Sequence, residues 1–332
     1  MSRSTVSVII PTYNDGQFVG HAVESVLDQS CGAVELIVVD DGSTDGTMVR
    51  LGPYRDRVRL VRRDHGGASA ARNHGARLAR GEWLAFLDAD DFWYPHKLSE
   101  QLDLVARHPA LDFVTGNYHV IDEGGRVAGE AYVDHPMVGT VPGEVDGAGA
   151  VFGPEAGDRY VRDRFGILST TLVRRELFHR VGGFNERLDL AEDLHLMFRL
   201  VARGRSFGTV RLPVAAYRRR RESLSHQGAE RRHDVTIRAL VDLAHHHRMP
   251  AAMSAAIREQ VAEARLDLAY LRAREGRRFS AMASAARSLL GRPCRRALRA
   301  LVSVHRPVRE DPQMKRLDEV DPVELFRFGA MA

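Results

Sequence analysis

The sequence predicts an α/β protein with a mostly parallel sheet, helices on both faces of that sheet, and a C-terminal helical extension. Up to about residue 228, short apolar segments alternate with segments of helical periodicity. Strands that are apolar throughout are typical of a parallel sheet covered on both faces. Beyond that point only helical periodicity remains. We therefore divide the chain into an α/β domain at 1–228 and a mainly helical extension at 229–332.

The first strand is predicted at residues 6–10, a β-branched run that Pro11 ends. A polar loop follows. Helical spacing then predicts a helix from a set of apolar residues, Phe18, Ala22, Val23, Val26 and Leu27. Asn14 and Asp15 are candidate caps for this helix, because their short polar side chains accept hydrogen bonds from a first helical turn.

The second strand, residues 36–39, leads into the acids Asp40 and Asp41, and the third is predicted at 58–61. A helix of small residues follows at 68–79 and carries Arg72. The Gly-Gly pair at 66–67 precedes it. These glycines are read as a turn and helix start, although a phosphate at this helix N-terminus is an alternative.

The fourth strand, residues 83–87, ends in three carboxylates, Asp88, Asp90 and Asp91. Carboxylates are hard ligands suited to Mg²⁺ or Mn²⁺. The alternative is a polar turn before a helix, with Pro95 in its first turn and Asp91 as its cap. Ligands of open parallel sheets bind outside the carboxyl ends of the strands. Thr12, Asp41 and the Asp88–Asp91 cluster all follow strands, so we expect one shared crevice.

Residues 122–164 are rich in Gly, Pro and Asp and have little periodicity. They predict a long loop, of a kind that is uncommon unless functional or mobile. In the extension, an apolar stripe predicts a first helix, and a second is predicted at 279–290; the stripe consists of Ile257, Val261, Ala264, Leu268 and Leu271. A basic amphipathic third helix is predicted at 295–304. Peripheral contact with an anionic membrane and homo-oligomerisation through these helices are left open.

Charge is distributed unevenly. Residues 1–229 hold 28 Lys and Arg against 31 Asp and Glu, whereas 230–332 hold 20 against 13. No nucleic-acid motif accompanies the basic extension, so a nucleic-acid partner is not expected. The histidines at 245–247 are assigned to an exposed helix side.

Several protein classes are disfavoured. The two cysteines, Cys31 and Cys294, lie far apart, which speaks against a disulfide framework or a zinc site. No apolar run approaches the roughly 20 residues that span a bilayer, and no signal-peptide core is present, so a cytoplasmic protein is expected. Neither a Rossmann nor a Walker glycine loop occurs.

Four ordered motifs carry a family resemblance: residues 6–14, 38–45, 70–75 and 86–91. Together with Gly182–Glu186, Glu192-Asp193 and residues 217–226, they resemble the family 2 inverting glycosyltransferases of GT-A fold. The resemblance covers roughly residues 5–228. It implies a nucleoside-diphosphate sugar donor, with UDP or dTDP favoured, and an acceptor that is a carbohydrate, a lipid-linked molecule or a small molecule.

The resemblance also implies site residues. The donor nucleotide would be bound by a set drawn from the strand ends and a later arginine run: Pro11, Thr12, Tyr13, Asp41, Arg72, Asp88, Ala89, Arg218 and Arg219. Asp90, with Asp88 and His226 as further candidates, would hold Mn²⁺ or Mg²⁺. Asp193 would be the general base and Glu192 its acceptor-positioning neighbour. Without the resemblance, these two acids are explained by the dipole of their helix.

Two other functions are retained. A sugar-1-phosphate nucleotidyltransferase uses a related sheet, but its glycine-rich, arginine-containing loop is lacking here. A non-catalytic nucleotide-sugar-binding protein would have lost site residues, whereas Asp88, Asp90 and Asp193 are present. A processive polysaccharide synthase is disfavoured because Q-x-x-R-W is missing.

Overall fold

The computed structural model describes residues 6–31, 34–132, 144–147, 149–164, 166–220 and 228–291. The chain forms two compact units. Residues 1–156 and 165–220 make up the N-terminal unit, and 157–164 and 221–332 the C-terminal unit.

The strands all belong to the N-terminal unit. They are β1 (Val6–Thr12), β2 (Val34–Asp40), β3 (Arg59–Arg62), β4 (Trp83–Phe86), β5 (Phe92–Trp93), β6 (Phe113–Ile121), β7 (Val127–Glu130), β8 (Glu144–Asp146), β9 (Gly149–Phe152), β10 (Leu172–Arg174) and β11 (Phe207–Arg218).

The helices, in chain order, are α1 (Val19–Leu27), α2 (Thr47–Leu51), α3 (Ala68–Leu78), α4 (Lys97–Arg107), α5 (Gly157–Asp163), α6 (Arg175–Arg180), α7 (Glu192–Arg203), α8 (Ala229–His246), α9 (Ala251–Arg274) and α10 (Arg278–Gly291). Of these, α5 and α8 to α10 belong to the C-terminal unit.

The sheet has the strand order β3-β2-β1-β4-β10-β6-β11-β9-β8. Strands β1 to β4 are mutually parallel, as predicted, and β10 runs antiparallel between β4 and β6. The chain steps from β1 to β2 and β3, then returns to place β4 on the other side of β1. This reversal is a topological switch point, where open α/β sheets bind their ligands.

Helices α1 and α3 belong to crossovers that run in opposite directions along the sheet. Because such crossovers are right-handed, the two helices cover opposite faces. Gly75 lets α3 approach the sheet closely, since a Cβ at this position would lie 2.5 Å from Cγ2 of Ile9. The small-residue composition of α3 therefore serves close packing on β1.

Three local predictions are corrected. Residues 122–164 contain β7, β8, β9 and α5, so the described part of this stretch is not one irregular loop. Neither Asn14 nor Asp15 caps α1 with its side chain; Phe18 occupies the cap position. Helix α4 begins at Lys97, beyond Pro95, and its cap position is His96, so Asp91 is not its cap.

In the C-terminal unit, α9 packs against α5, α8 and α10. Of the predicted stripe, Ile257, Val261, Leu268 and Leu271 are buried, whereas Ala264 is half-buried. His245 and His246 are exposed, as expected, whereas His247 is half-buried and lies just beyond the end of α8. The predicted helix at 295–304 and Cys294 lie outside the described residues. Among the helices that are described, none combines the length and apolarity needed to cross a membrane.

The division at residue 228 stays a prediction. Because α5 belongs to the C-terminal unit, truncation after residue 228 would remove α9, against which α5 packs. Such a truncation therefore perturbs what remains as well as removing the extension.

His233 on α8 makes stability depend on pH. Burial, aided by the nearby charge of Arg232, lowers the pKa of His233 to about 4. The unfolded chain, with an ordinary His pKa near 6.5, binds this proton first, so stability should fall as the pH drops from about 6.5 to 4. We expect His233→Gln to remove up to about 1.4 kcal/mol per pH unit from this slope.

The measurement is urea unfolding followed by far-UV circular dichroism, which reports on helices, because both tryptophans lie in the N-terminal unit. His245→Gln, on the same helix but exposed, is the control and should leave the slope unchanged. An identical slope in wild type and His233→Gln would contradict the assignment.

Candidate active site

The candidate site lies at the carboxyl ends of β1, β2 and β4. Register places Thr12 beside Asp40, and the amide of Asp41 donates to the Thr12 carbonyl at 2.9 Å. β4 flanks β1 on the other side and delivers Asp88 to the same edge. The predicted residues therefore lie together at one edge of the sheet, at its switch point.

Asp41 is buried and surrounded by donors from its own chain. Its carboxylate accepts hydrogen bonds from the amides of Gly66 and Gly67, the latter at 2.7 Å, and from Arg63. His65 Nδ1 lies 2.9 Å from Oδ2. The carboxylate thus acts as the anion at the start of α3, and a nucleobase would have to share or replace these donors.

The loop after β1 offers an aromatic surface beside Asp41. Tyr13 is 43% exposed and stacks on the ring of His65 at a centroid distance of 4.2 Å. The hydroxyl of Thr12 is buried and has no hydrogen-bond partner. A bound ligand could supply that partner. Pro11 and Ala89 are buried, and their contact with a nucleotide stays a prediction.

Arg72 links the end of β4 to the start of α7. Its guanidinium donates to Asp88 at 2.6 Å and to Glu192 at 2.8 Å, and it lies over the ring of Phe184. Burial lowers the Arg72 pKa, but the two carboxylates outweigh it and raise that pKa overall. Burial also raises the pKa of Glu192 to about 6, against the opposing charge of Arg72.

The Gly182–Glu186 segment contacts α3, the helix that carries Arg72. Asn73 exchanges hydrogen bonds with the backbone of Phe184 and donates to Glu186. Phe184 in turn packs edge-on against Phe86 of β4, at a centroid distance of 5.2 Å. The segment therefore joins α3, which carries Arg72, to β4.

Asp90 faces a second cation. Arg220 Nη1 lies 2.7 Å from Asp15 and 3.1 Å from Asp90, which is a quarter exposed. Burial, with the charges of Asp88 and Asp15, raises the pKa of Asp90 to about 6, against the opposing effect of Arg220. Asp88 and Asp90 are partly open oxygen donors in a region that attracts positive charge, so they fit a divalent cation.

Asp91 has a different environment from its two neighbours. It is 2% exposed and accepts hydrogen bonds from the Ser169 hydroxyl at 2.6 Å and the Arg218 amide at 2.9 Å. Both of its oxygens are therefore used inside the fold.

The arginines after β11 are placed differently from one another. Arg218 is buried, and its guanidinium donates to the carbonyls of Asp90, Asp122 and Glu123. The Arg219 amide donates to Ile121 at 2.9 Å. Arg220 reaches two acids of the site, Asp15 and Asp90. His226 lies outside the described residues.

Asp193 occupies the second position of α7 and is half-buried. Its Oδ1 accepts a hydrogen bond from the Leu194 amide at 2.7 Å. Ala191, which precedes the helix, has a left-handed backbone with φ of 59°. After this left-handed residue the Glu192 side chain is directed toward Arg72. The Asp193 side chain, one residue later, lies on a different face of the helix.

Sequence reasoning missed Asp15, His65 and Arg220 as members of this region. Asp15 had been considered only as a helix cap. The arginine run was visible, but its spacing could not show which member turns inward.

Comparisons with known proteins agree with this geometry. Residues 7–136 match the family model described as Glycosyl transferase family 2. An uncharacterized glycosyltransferase of Rickettsia conorii is 30% identical over 210 residues, which cover 60% of this chain and 31% of that protein. The UDP-Glc:alpha-D-GlcNAc-diphosphoundecaprenol beta-1,3-glucosyltransferase WfgD of Escherichia coli is 36% identical over 129 residues, covering 38% and 51%. The chain thus spans about half or less of these relatives' lengths.

Solved structures show the same fold. S. aureus TarS 1-349 in complex with UDP-GlcNAc has a TM-score of 0.65 at 18% identity, covering 98% of this chain and 90% of that one. The mannosyltransferase PcManGT from Pyrobaculum calidifontis, in complex with GDP-Man and Mn²⁺, has a TM-score of 0.60 at 17% identity, covering 99% and 86%. The similarity to glycosyl transferase family 2 therefore lies in residues 7–136, and the sheet that carries this stretch has the GT-A fold.

Proposed function

We propose that the chain transfers a sugar from a nucleoside-diphosphate sugar to an acceptor hydroxyl, with inversion at the anomeric carbon and with Mn²⁺ or Mg²⁺ as cofactor. The observation that carries this proposal is the Arg72 bridge between Asp88 and Glu192. It holds the predicted donor and metal acids beside the helix that carries the predicted base.

The donor nucleotide would lie over the ends of β1 and β2. Thr12 offers a hydroxyl without a partner, Tyr13 an exposed ring, and Asp41 an acceptor for an imide N–H. Uracil and thymine both carry that donor, so UDP and dTDP sugars are favoured. The UDP-GlcNAc of the TarS complex supports a uridine donor.

Asp90 and Asp88 would hold the divalent ion. When bound, the ion stabilises the negative charge that develops on the leaving diphosphate. The Mn²⁺ in the PcManGT complex supports this choice. Arg218 and Arg219 would contact the diphosphate, and His226 would bind the metal. For Arg218 this would require a change of partner, because its guanidinium already donates to backbone carbonyls.

Asp193 would accept the proton of the attacking hydroxyl. The acceptor oxygen forms a bond to the anomeric carbon while the bond from that carbon to the diphosphate oxygen breaks, which inverts the centre. Glu192 is held by Arg72 and has a raised pKa, so it suits positioning of the acceptor. The acceptor is a carbohydrate, a lipid-linked molecule or a small molecule; the diphosphoundecaprenol in the name of WfgD supports the lipid-linked class.

A thermal-shift screen tests this function. With a nucleoside-diphosphate sugar and Mn²⁺ at about 100 times Kd, binding should add about 2.7 kcal/mol to the unfolding free energy. The melting temperature should then rise by about 5–10 °C. EDTA should remove most of the rise, and UMP, which lacks the second phosphate, should give little.

The same plate tests the first alternative, and an assay of donor hydrolysis and sugar transfer tests the second. A sugar-1-phosphate nucleotidyltransferase would be stabilised by UTP and a sugar 1-phosphate in preference to UDP-sugars. A non-catalytic binding protein would bind the donor and show neither slow donor hydrolysis nor transfer. No shift with any nucleotide sugar would exclude the proposed donor class.

A further inference from the structure

Arg220 is the last residue described in the N-terminal unit and directs its guanidinium back into the site. One nitrogen, Nη1, serves both Asp15 of the loop after β1 and Asp90 of the loop after β4. The guanidinium also lies 5.0 Å from the centroid of the Phe18 ring. It is thus held by two separate loops of the crevice.

Arg220 is not needed to fix the end of β11. Asp91 accepts the Arg218 amide, the Arg218 guanidinium donates to three carbonyls, and the Arg219 amide donates to Ile121. The strand end is therefore anchored before the chain reaches Arg220. The contacts of Arg220 are made to carboxylates, where they neutralise charge.

We propose that Arg220 is an internal counter-cation that occupies the place of the divalent ion in the nucleotide-free protein and must leave Asp90 before a metal ion binds there. This inference rests on the proposed function, because it takes Asp90 as a metal ligand.

The physical reason is competition for one carboxylate. The Asp90 oxygen that accepts from Arg220 is one that a metal ion would use, and two cations at that oxygen repel each other. Metal alone therefore has to displace the arginine and binds weakly. A nucleoside diphosphate brings negative charge that offers Arg220 another partner, so metal and nucleotide should bind cooperatively.

The test is Mn²⁺ binding to the full chain, measured by electron paramagnetic resonance of free Mn²⁺ without nucleotide and then with UDP. Arg220→Gln should bind Mn²⁺ alone about tenfold or more tightly than wild type, within the range usual for linked sites. Its cooperativity with UDP should shrink. Arg220→Lys keeps a cation and should remain close to wild type.

Arg211→Gln is the matched control, because Arg211 lies exposed on β11, the strand that precedes Arg220, and its loss changes net charge equally. An equal gain in this variant would assign the effect to bulk charge and overturn the inference. A purely structural role would lower the melting temperature of Arg220→Gln without changing the Kd for Mn²⁺, and would also overturn it. If no variant binds Mn²⁺ even with UDP, the metal site of the proposed function is wrong, and so is this inference.

Discussion

Asp193→Asn is expected to slow sugar transfer by about 10²–10⁴-fold, the usual loss when acid-base catalysis is removed. The substitution keeps the size of the side chain and an oxygen that can still accept from the Leu194 amide, so the start of α7 should be preserved. Donor affinity should barely change. The rate is measured with a matched acceptor, and donor affinity by calorimetry.

The competing explanation for Asp193 is favourable placement near the helix dipole. In that case the substitution would cost about 0.3–1 kcal/mol of stability and leave turnover near normal. Glu176→Gln is the control, because Glu176 is an exposed acid in the first turn of α6. A variant at Asp193 that melts earlier yet transfers at wild-type rate would end the base assignment and direct attention to Glu192.

Asp90→Ala should weaken UDP binding in the presence of Mn²⁺ by about 100-fold or more, since losing even an outer partner of a metal ligand costs 10–100-fold. In EDTA, wild type and variant should bind UDP equally weakly. Calorimetric titration in the four combinations of protein and metal measures the effect. Asp103→Ala removes an exposed carboxylate on α4 and should behave as wild type.

Equal UDP affinity in all four combinations would remove Asp90 from the metal site. The outcome is also informative beside the Arg220 variant. Asp90→Ala lowers metal affinity whether or not Arg220 competes, whereas Arg220→Gln raises it only if Arg220 competes. The two variants therefore test the ligand and its competitor separately.

Strands β1, β2 and β4 could be predicted because they are continuous apolar runs with polar residues after them. Strands β7 to β10 could not, since each is only three or four residues long. β10, for example, is three residues long and lies between β4 and β6. Its place in the sheet depends on tertiary packing, which a local pattern does not report.

The residues of the candidate site, too, could be predicted only in part. Positions that follow a strand directly, such as Asp41 and Asp88, were placed correctly at the sheet edge by pattern alone. Partners from distant segments could not be predicted in this way. The Arg72–Glu192 pair, for example, joins residues 120 positions apart. Similarly, nothing local distinguishes Arg218, which binds carbonyls, from Arg220, which reaches carboxylates.

Asp91 has a consequence for how mutational scans of this protein would be interpreted. Its carboxylate ties the loop after β4 to Ser169 and to the end of β11, so Asp91→Ala would leave two buried donors without acceptors and destabilise the fold. An activity screen alone would therefore score Asp88, Asp90 and Asp91 as equally essential. Protein abundance measured alongside activity would separate them, because loss at Asp91 should reduce the amount of folded enzyme and loss at Asp90 its activity per molecule.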